Sequence, residues 1–321
     1  MQEKIEILSE KEIDRAVQLL KMGELVAFPT ETVYGLGAPL FLVESIKKIF
    51  YAKGRPSDNP LIAHVHCVGD VEKIAMDIPR AFYQLAEVFF PGPLTIVLKA
   101  SPCVPKEVSA GLPTVAVRCP SHPIAQKLLK MLDMPIVAPS ANLSGKPSAT
   151  SAQHVMEDFQ GKIAAVIDGG SSTIGLESTV IDLQDANHPV LLRPGIITKD
   201  LIEDVLKQEV ALPNQATPAT SPGMKYRHYA PRAPLRLFTS HEELQRHITK
   251  NSAAKRIILT EERINDVFCE QFPLENSSLY AFLRLSDRME CDELLIFCTE
   301  TVLKNEALMN RLYKAAQHVE Y

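Results

Sequence analysis

Between Ala211 and Leu235 the chain places Pro213, Pro218, Pro222, Pro231 and Pro234, and no helix interior or central strand can pass through such a stretch. Each proline lacks the amide proton that a helix or a ladder needs, and its ring fixes φ. The segment divides the chain into residues 1–207, a linker over 208–234, and a smaller part over 235–321. Yet Met224-Lys225-Tyr226-Arg227-His228-Tyr229 within the linker is basic and aromatic, which a passive spacer does not require. The alternative is a surface linker whose basic residues are simply solvated; the cations and aromatic rings gathered between proline anchors, which lower the entropy lost on closing, lead to the expectation of a lid.

On the N-terminal side, short apolar runs alternate with amphipathic stretches. Ser9 and Glu12 have the spacing of a capping box for a helix through about residue 22, and further helices are expected at 44–52, 80–90, 122–132, 151–159 and 199–207. Strands are expected at 25–28, 61–66, 94–98, 115–118, 136–138, 164–167, 178–183 and 190–193. So many short strands among helices imply an α/β fold on one large, twisted mixed sheet. After the linker, strands at 235–238, 256–259 and 293–298, with helices from about 241, over 279–288 and from about 305, imply a small Rossmann-like β/α domain.

The charge balance narrows the partners. Lys plus Arg number 34 against 39 Asp plus Glu, a formal charge of -5, so there is no global attraction to nucleic acid or anionic lipid and any polyanion site must be local. The opening MQEKIEILSEKEIDRA has charges throughout and no apolar signal-peptide core, and no run of 18 apolar residues occurs, so a cytoplasmic location and no membrane contact are expected. Cys67, Cys103, Cys119, Cys269, Cys291 and Cys298 include no C-x-x-C pair and read as reduced, mostly packed thiols.

Small polar and cationic residues gather where the expected strands end. Pro29-Thr30-Glu31-Thr32-Val33-Tyr34-Gly35-Leu36-Gly37 offers hydroxyls at Thr30, Thr32 and Tyr34, with two glycines that admit a close approach. Lys53-Gly54-Arg55-Pro56-Ser57-Asp58-Asn59-Pro60 brings two cations and an amide to a Pro-bounded loop, a grouping suited to phosphate. Ala138-Pro139-Ser140-Ala141-Asn142, Gly175-Leu176-Glu177-Ser178-Thr179 and Leu192-Arg193-Pro194-Gly195 add hydroxyls, an amide and another cation. Each alone is also ordinary turn chemistry; their joint occurrence at strand ends points to a ligand site. Neither the P-loop nor the G-x-G-x-x-G pattern is present.

Together PTETVYGLG, KGRPSDNPLIAH, PSANLSG, GLESTVID, LLRPG and SPGMKYRHYAP resemble the YrdC-like threonylcarbamoyl-AMP synthases in their longer, two-domain form. The likeness spans about residues 9–234 and is loose beyond 235, where the last helix, with Met309 to Ala316, carries it. The resemblance implies that Thr32, His64, Arg118 and Ser178 contact threonine, with Arg118 on its carboxylate. It implies that Arg55, Asn59, Thr114, Ala138, Ser140, Asn142, Ser148 and Arg193 surround ATP, with Tyr229 closing over the nucleotide. Lys53 and Arg55 are the expected catalytic cations, joined by Mg²⁺ that arrives with ATP and by no permanently bound cofactor.

The implied reaction joins L-threonine and bicarbonate as a carbamate whose oxygen attacks the α-phosphate of ATP. His64 is assigned to substrate binding and is also a candidate acceptor of the amine's proton. The expected recipient of the product is a tRNA-modifying transferase complex, and RNA binding by the chain itself is expected to be weak. Two other readings compete: a non-catalytic RNA-binding module, and a related enzyme that makes another carbamoyl adenylate. Against the first, residues 1–234 carry 23 Lys plus Arg and 25 Asp plus Glu. Against the second, no accessory acyl-phosphatase or zinc-finger segment is visible.

Overall fold

The computed structural model describes residues 4–213, 229–265, 269–316 and 318–319, so Lys225, Tyr226, Arg227 and His228 of the expected lid lie outside the described residues. The chain divides into two compact units, Met1–Ser144 with Ala149–Lys225, and Gly145–Ser148 with Tyr226–Tyr321.

The first unit is built on a ten-stranded sheet of β1 (Glu6–Leu8), β2 (Val26–Phe28), β3 (Gly35–Pro39), β4 (Ile62–His64), β5 (Leu94–Lys99), β6 (Thr114–Arg118), β7 (Ile136–Val137), β8 (Ala165–Ile167), β9 (Thr179–Asp182) and β10 (Val190–Arg193). Their order is β1-β8-β2-β3-β7-β4-β6-β5-β9-β10. β8 runs parallel to β1 and β2, β4 parallel to β6, and β5 parallel to β9, whereas β3, β7 and β10 pair antiparallel with their neighbours. The strands are short and, like the Val-Ala-Phe of β2, buried along their length, as a sheet covered on both faces requires.

One face packs on the helices Ile13–Lys21 and Pro123–Leu132, through Ile13, Leu20, Leu128 and Leu129 against Phe28, Ile136 and Ile167. The other face meets the helices Val43–Lys53, Arg80–Phe89, Ala152–Phe159 and Lys199–Leu206 over Tyr34, Phe82, Leu85 and Phe159. The first helix begins as expected: the Glu12 carboxylate accepts from the Ser9 amide at 2.9 Å and the Ser9 hydroxyl at 2.7 Å, although the opening turn, Glu10–Glu12, is a 3-10 helix.

β3 corrects the expectation of a Gly-rich loop. Gly-Leu-Gly-Ala-Pro has little β propensity, but a Cβ on Gly37 would lie 2.9 Å from Ile136 Cγ2 and 3.0 Å from Phe28 Cε1. Glycine there lets the Phe28 ring lie against the strand, so tertiary packing overrides local preference. β1 and the helices Val68–Ile74 and Lys106–Ser109, three, seven and four residues long, are too short for periodicity to reveal. All six cysteines are free, but Cys67 and Cys103 are exposed, correcting the packed reading for those two. Cys119 is buried, and burial pushes its thiol up to about 11, so it is an unreactive packing residue.

The second unit carries an all-parallel sheet in the order β13-β12-β14-β11-β15, from β11 (Leu235–Phe238), β12 (Arg256–Thr260), β13 (Glu270–Pro273), β14 (Glu293–Phe297) and β15 (His318–Val319). Its helices are His241–Lys250, Leu279–Arg288, Glu300–Lys304 and Glu306–Ala315. Ser240, Thr299 and Asn305 cap three of them by accepting from backbone amides of the first turn. Phe238, Leu244, Ile258 and Leu295 form part of its core, as a Rossmann-like unit predicts. β13 and β15 escape the sequence reading because one is a polar Glu-Gln-Phe-Pro and the other only two residues. Within this unit the buried Arg284 donates to the carbonyls of Pro147 at 2.7 Å and Ser148 at 3.4 Å, and the Ala230 amide donates to Gly145 O at 3.0 Å.

Candidate active site

The loop leaving β2 is folded around its own hydroxyls. Thr30 Oγ1 accepts from the Thr32 and Val33 amides, both at 3.2 Å, and donates to Val33 O at 2.6 Å. Thr32 Oγ1 lies 2.9 Å from Thr30 Oγ1 and accepts from Arg118 Nη1 at 2.8 Å, so its own proton goes to Thr30. Tyr34 does not face a ligand as the sequence suggested. Its hydroxyl donates to Gly170 O at 2.7 Å and accepts from the Gly169 amide at 3.1 Å, and burial pushes it up to about 12.

Arg118 and His64 arrive opposite each other as register partners on parallel β6 and β4. Arg118 is 4% exposed; Nη2 lies 2.7 Å from Glu31 Oε1, and Nε points to Gly92 O at 3.4 Å. Burial raises the Glu31 carboxyl, but the Arg118 guanidinium together with the amides of Glu31 and Ser121 offsets it, so the group sits below its ordinary value and stays charged. His64 donates from Nδ1 to Ile62 O at 3.2 Å, and its ring meets Phe28 edge-on with centroids 5.8 Å apart. Burial, with the nearby Arg118 charge, pushes its pKa down to about 3. The imidazole is therefore neutral at pH 7 and a weak base, which argues against its taking the amine's proton.

A second group forms from Thr95 of β5, Ser178 just before β9 and Arg193 at the end of β10. Ser178 Oγ lies 2.7 Å from Thr95 Oγ1 and accepts from Arg193 Nη2 at 3.1 Å, while Arg193 Nε donates to Ser178 O at 2.9 Å. The β9–β10 register slips between Leu191 and Arg193, and that irregularity aims the terminal arginine of β10 back toward Ser178.

The third group surrounds the end of the helix Val43–Lys53, which Gly54 terminates at φ 59°. Lys53 is buried, and its ammonium donates to the carbonyls of Ser140, at 2.6 Å, and Asn142. Ser140 Oγ donates to Asn142 Oδ1 at 2.5 Å, and Asn142 Nδ2 to Leu143 O at 2.8 Å, so this turn is held from within and by Lys53 from behind. Half-buried Arg55 reaches back along its own loop, donating to Asn59 O at 3.2 Å and Pro60 O at 3.1 Å. Asn59, Thr114 and Ala138 are buried; Thr114 opens β6 opposite Lys99, and the Ala138 amide donates to Ile62 O at 3.0 Å.

Ser148 and Tyr229 fall in the second unit. There Tyr229, at φ 67°, packs its ring 5.3 Å from that of Tyr280, with Arg311 5.9 Å above it. The residues that sequence reasoning missed are Glu31 and Thr95, each of which partners an assigned residue. Glu31 lies inside the Pro29–Gly37 motif, where a charge between two threonines is the available signal; Thr95 carries none. Among the described residues no group of three or more His, Cys, Asp or Glu side chains could hold a metal ion, and no helix is long and apolar enough to cross a membrane.

The family model described as telomere recombination matches residues 18–195, and that described as threonylcarbamoyl-AMP synthase, C-terminal domain, matches residues 197–317. The threonylcarbamoyl-AMP synthase of Pyrococcus abyssi is 44% identical over 329 residues, covering 97% of this chain and 96% of its own. That of Bacillus subtilis is 42% identical over 325 residues, covering 96% and 94%. The solved structure of P. abyssi Sua5 complexed with L-threonine superposes with a TM-score of 0.87 at 41% identity, over 99% of both chains. Matched in both of its parts and along nearly its whole length, the chain belongs to the two-domain YrdC-like threonylcarbamoyl-AMP synthase family.

Proposed function

We propose that this chain converts L-threonine, bicarbonate and ATP to threonylcarbamoyl-AMP and pyrophosphate, supplying an activated carbamoyl group for tRNA modification in the cytoplasm. The observation that carries the reading is its near-full-length identity of 44% to a protein named for that activity. The buried polar groups supply a mechanism compatible with it. Arg118 takes the threonine carboxylate, with Thr32, His64 and Ser178 around the side chain and amine. Arg55, Asn59, Thr114, Ala138, Ser140, Asn142 and Arg193 receive MgATP, to which Ser148 and Tyr229 are also assigned; the Mg²⁺ is part of that substrate.

The chemistry asks the protein for placement rather than for covalent help. The carbamate formed from the amine and bicarbonate is already anionic, so its attack on the α-phosphate needs no general base, only alignment and compensation of phosphate charge. Arg55 and Arg193 supply charge directly. Lys53, engaged with the carbonyls of Ser140 and Asn142, supplies it from behind the turn and fixes that turn's shape. Because Arg193 donates to both oxygens of Ser178, it couples the phosphate side of the site to the amino-acid side.

The product is a small adenylate, and a separate transferase complex is its proposed recipient. Incubation with MgATP, bicarbonate and L-threonine should yield threonylcarbamoyl-AMP by mass spectrometry, with pyrophosphate release that stops when threonine or bicarbonate is withheld. Pyrophosphate release indifferent to threonine would refute the assignment.

A further inference from the structure

The resemblance gives Glu31 no role, yet its surroundings are unusual for a residue that only balances charge. It is 6% exposed, with Arg118 Nη2 2.7 Å from Oε1 but out of hydrogen-bond alignment, and only the amides of Glu31 and Ser121 as further donors. Arg118 Nη2 is likewise without an aligned partner, while Nη1 is committed to Thr32. A structural arginine–carboxylate pair normally closes as a fork of parallel hydrogen bonds that satisfies both groups. Here two buried, opposite charges touch and each keeps unused hydrogen-bonding capacity, which is costly unless a ligand takes it up.

The other titratable groups around Glu31 do not supply what is missing. His64 and His122 are both pushed below the ordinary histidine value, chiefly by burial, so at pH 7 neither offers a cation, and the Ser121 amide contributes only a neutral donor. What fits a carboxylate and a guanidinium side by side is a ligand whose anionic and cationic ends are one carbon apart. An α-amino acid zwitterion has that form.

We infer that Glu31 recognises the α-ammonium of the amino-acid substrate, making the Glu31–Arg118 pair a selector for the zwitterion. This rests on the proposed function, in which Arg118 holds the substrate carboxylate. Glu31 binds the ammonium form on arrival and keeps a hydrogen bond to the nitrogen; it is a specificity residue and moves no proton.

The test is calorimetric binding to the full chain of two probes, L-threonine and 3-hydroxybutyrate, which keeps the carboxylate and the hydroxyl but lacks the amine. The wild type should prefer threonine. Glu31→Gln should weaken threonine about 10-fold to 100-fold, the size of a lost charged hydrogen bond, while 3-hydroxybutyrate and ATP change less than about threefold. Equal weakening of both probes would mean that Glu31 acts only by holding Arg118, and unchanged threonine binding would mean that it does not touch the amine; either overturns the inference and leaves the functional reading standing. A wild-type chain that binds neither probe removes both. If Glu31→Gln fails to fold by circular dichroism, Glu31→Asp keeps the charge but withdraws it, and the same selective loss of threonine is expected.

Discussion

His64 is held neutral by its surroundings, and that has a measurable consequence for stability. Its pKa falls from 6.5 to about 3 on folding, so below pH 6.5 the unfolded chain takes up a proton that the folded chain refuses. The contribution is therefore fully present above pH 6.5 and is lost progressively down to about pH 3, by about 2 kcal/mol between pH 6.5 and 5. Glu31 acts lower: its depressed carboxyl adds stability above its ordinary value near 4.5 and loses it only as pH falls further. Urea denaturation at pH 7 and 5 should show the difference, and His64→Gln should remove that part of it. An acid sensitivity identical in the variant would show that other groups carry it. Arg55 belongs to the same scale. If it faces the phosphates, Arg55→Ala should lower the rate of pyrophosphate release about 30-fold to 1000-fold, equivalent to about 2 to 4 kcal/mol, and wild-type turnover would remove it from the site.

Strand β3 shows how packing decides an element against its composition. Gly37→Ala places a methyl 2.9 Å from Ile136 Cγ2 and 3.0 Å from the Phe28 ring, so either the ring or the strand must move. The expected cost is about 1 to 3 kcal/mol, read as a lower urea midpoint with an unchanged slope. Gly54→Ala offers the contrast, since its Cβ meets nothing within 4 Å and the penalty comes only from φ 59°. The same division explains what could be read from the sequence. β2 and β6 are legible because their apolar runs are local, and the first helix because Ser9 and Glu12 are three residues apart. β3 is not, because what makes it a strand is an aromatic ring from another strand. Likewise Thr32, His64, Arg118 and Ser178 enter the proposed site through the family resemblance that the motifs carry. Thr95 does not, since its hydroxyl partner Ser178 lies 83 positions away and nothing near it in sequence announces the pairing.

For the whole molecule the charge distribution bears on how the product reaches RNA. Acidic residues outnumber basic ones on both sides of residue 234, by 25 to 23 before it and by 14 to 11 after it. Cations assigned to phosphate, Lys53 and Arg193, are buried and tied to Ser140, Asn142 and Ser178, so they do not form a surface track along a nucleic-acid backbone. An enzyme whose product is a small adenylate has no need to hold the tRNA that is finally modified. Unmodified tRNA should therefore bind the full chain no more tightly than about 100 μM at 0.15 M salt, the weak end of non-specific affinity, with little change in the binding constant between 50 and 200 mM salt. Pyrophosphate release should also be indifferent to added tRNA. A steep fall of affinity with salt would instead mean that several phosphates are neutralised at once, and the chain would then present a basic surface that its composition and its buried cations do not lead one to expect.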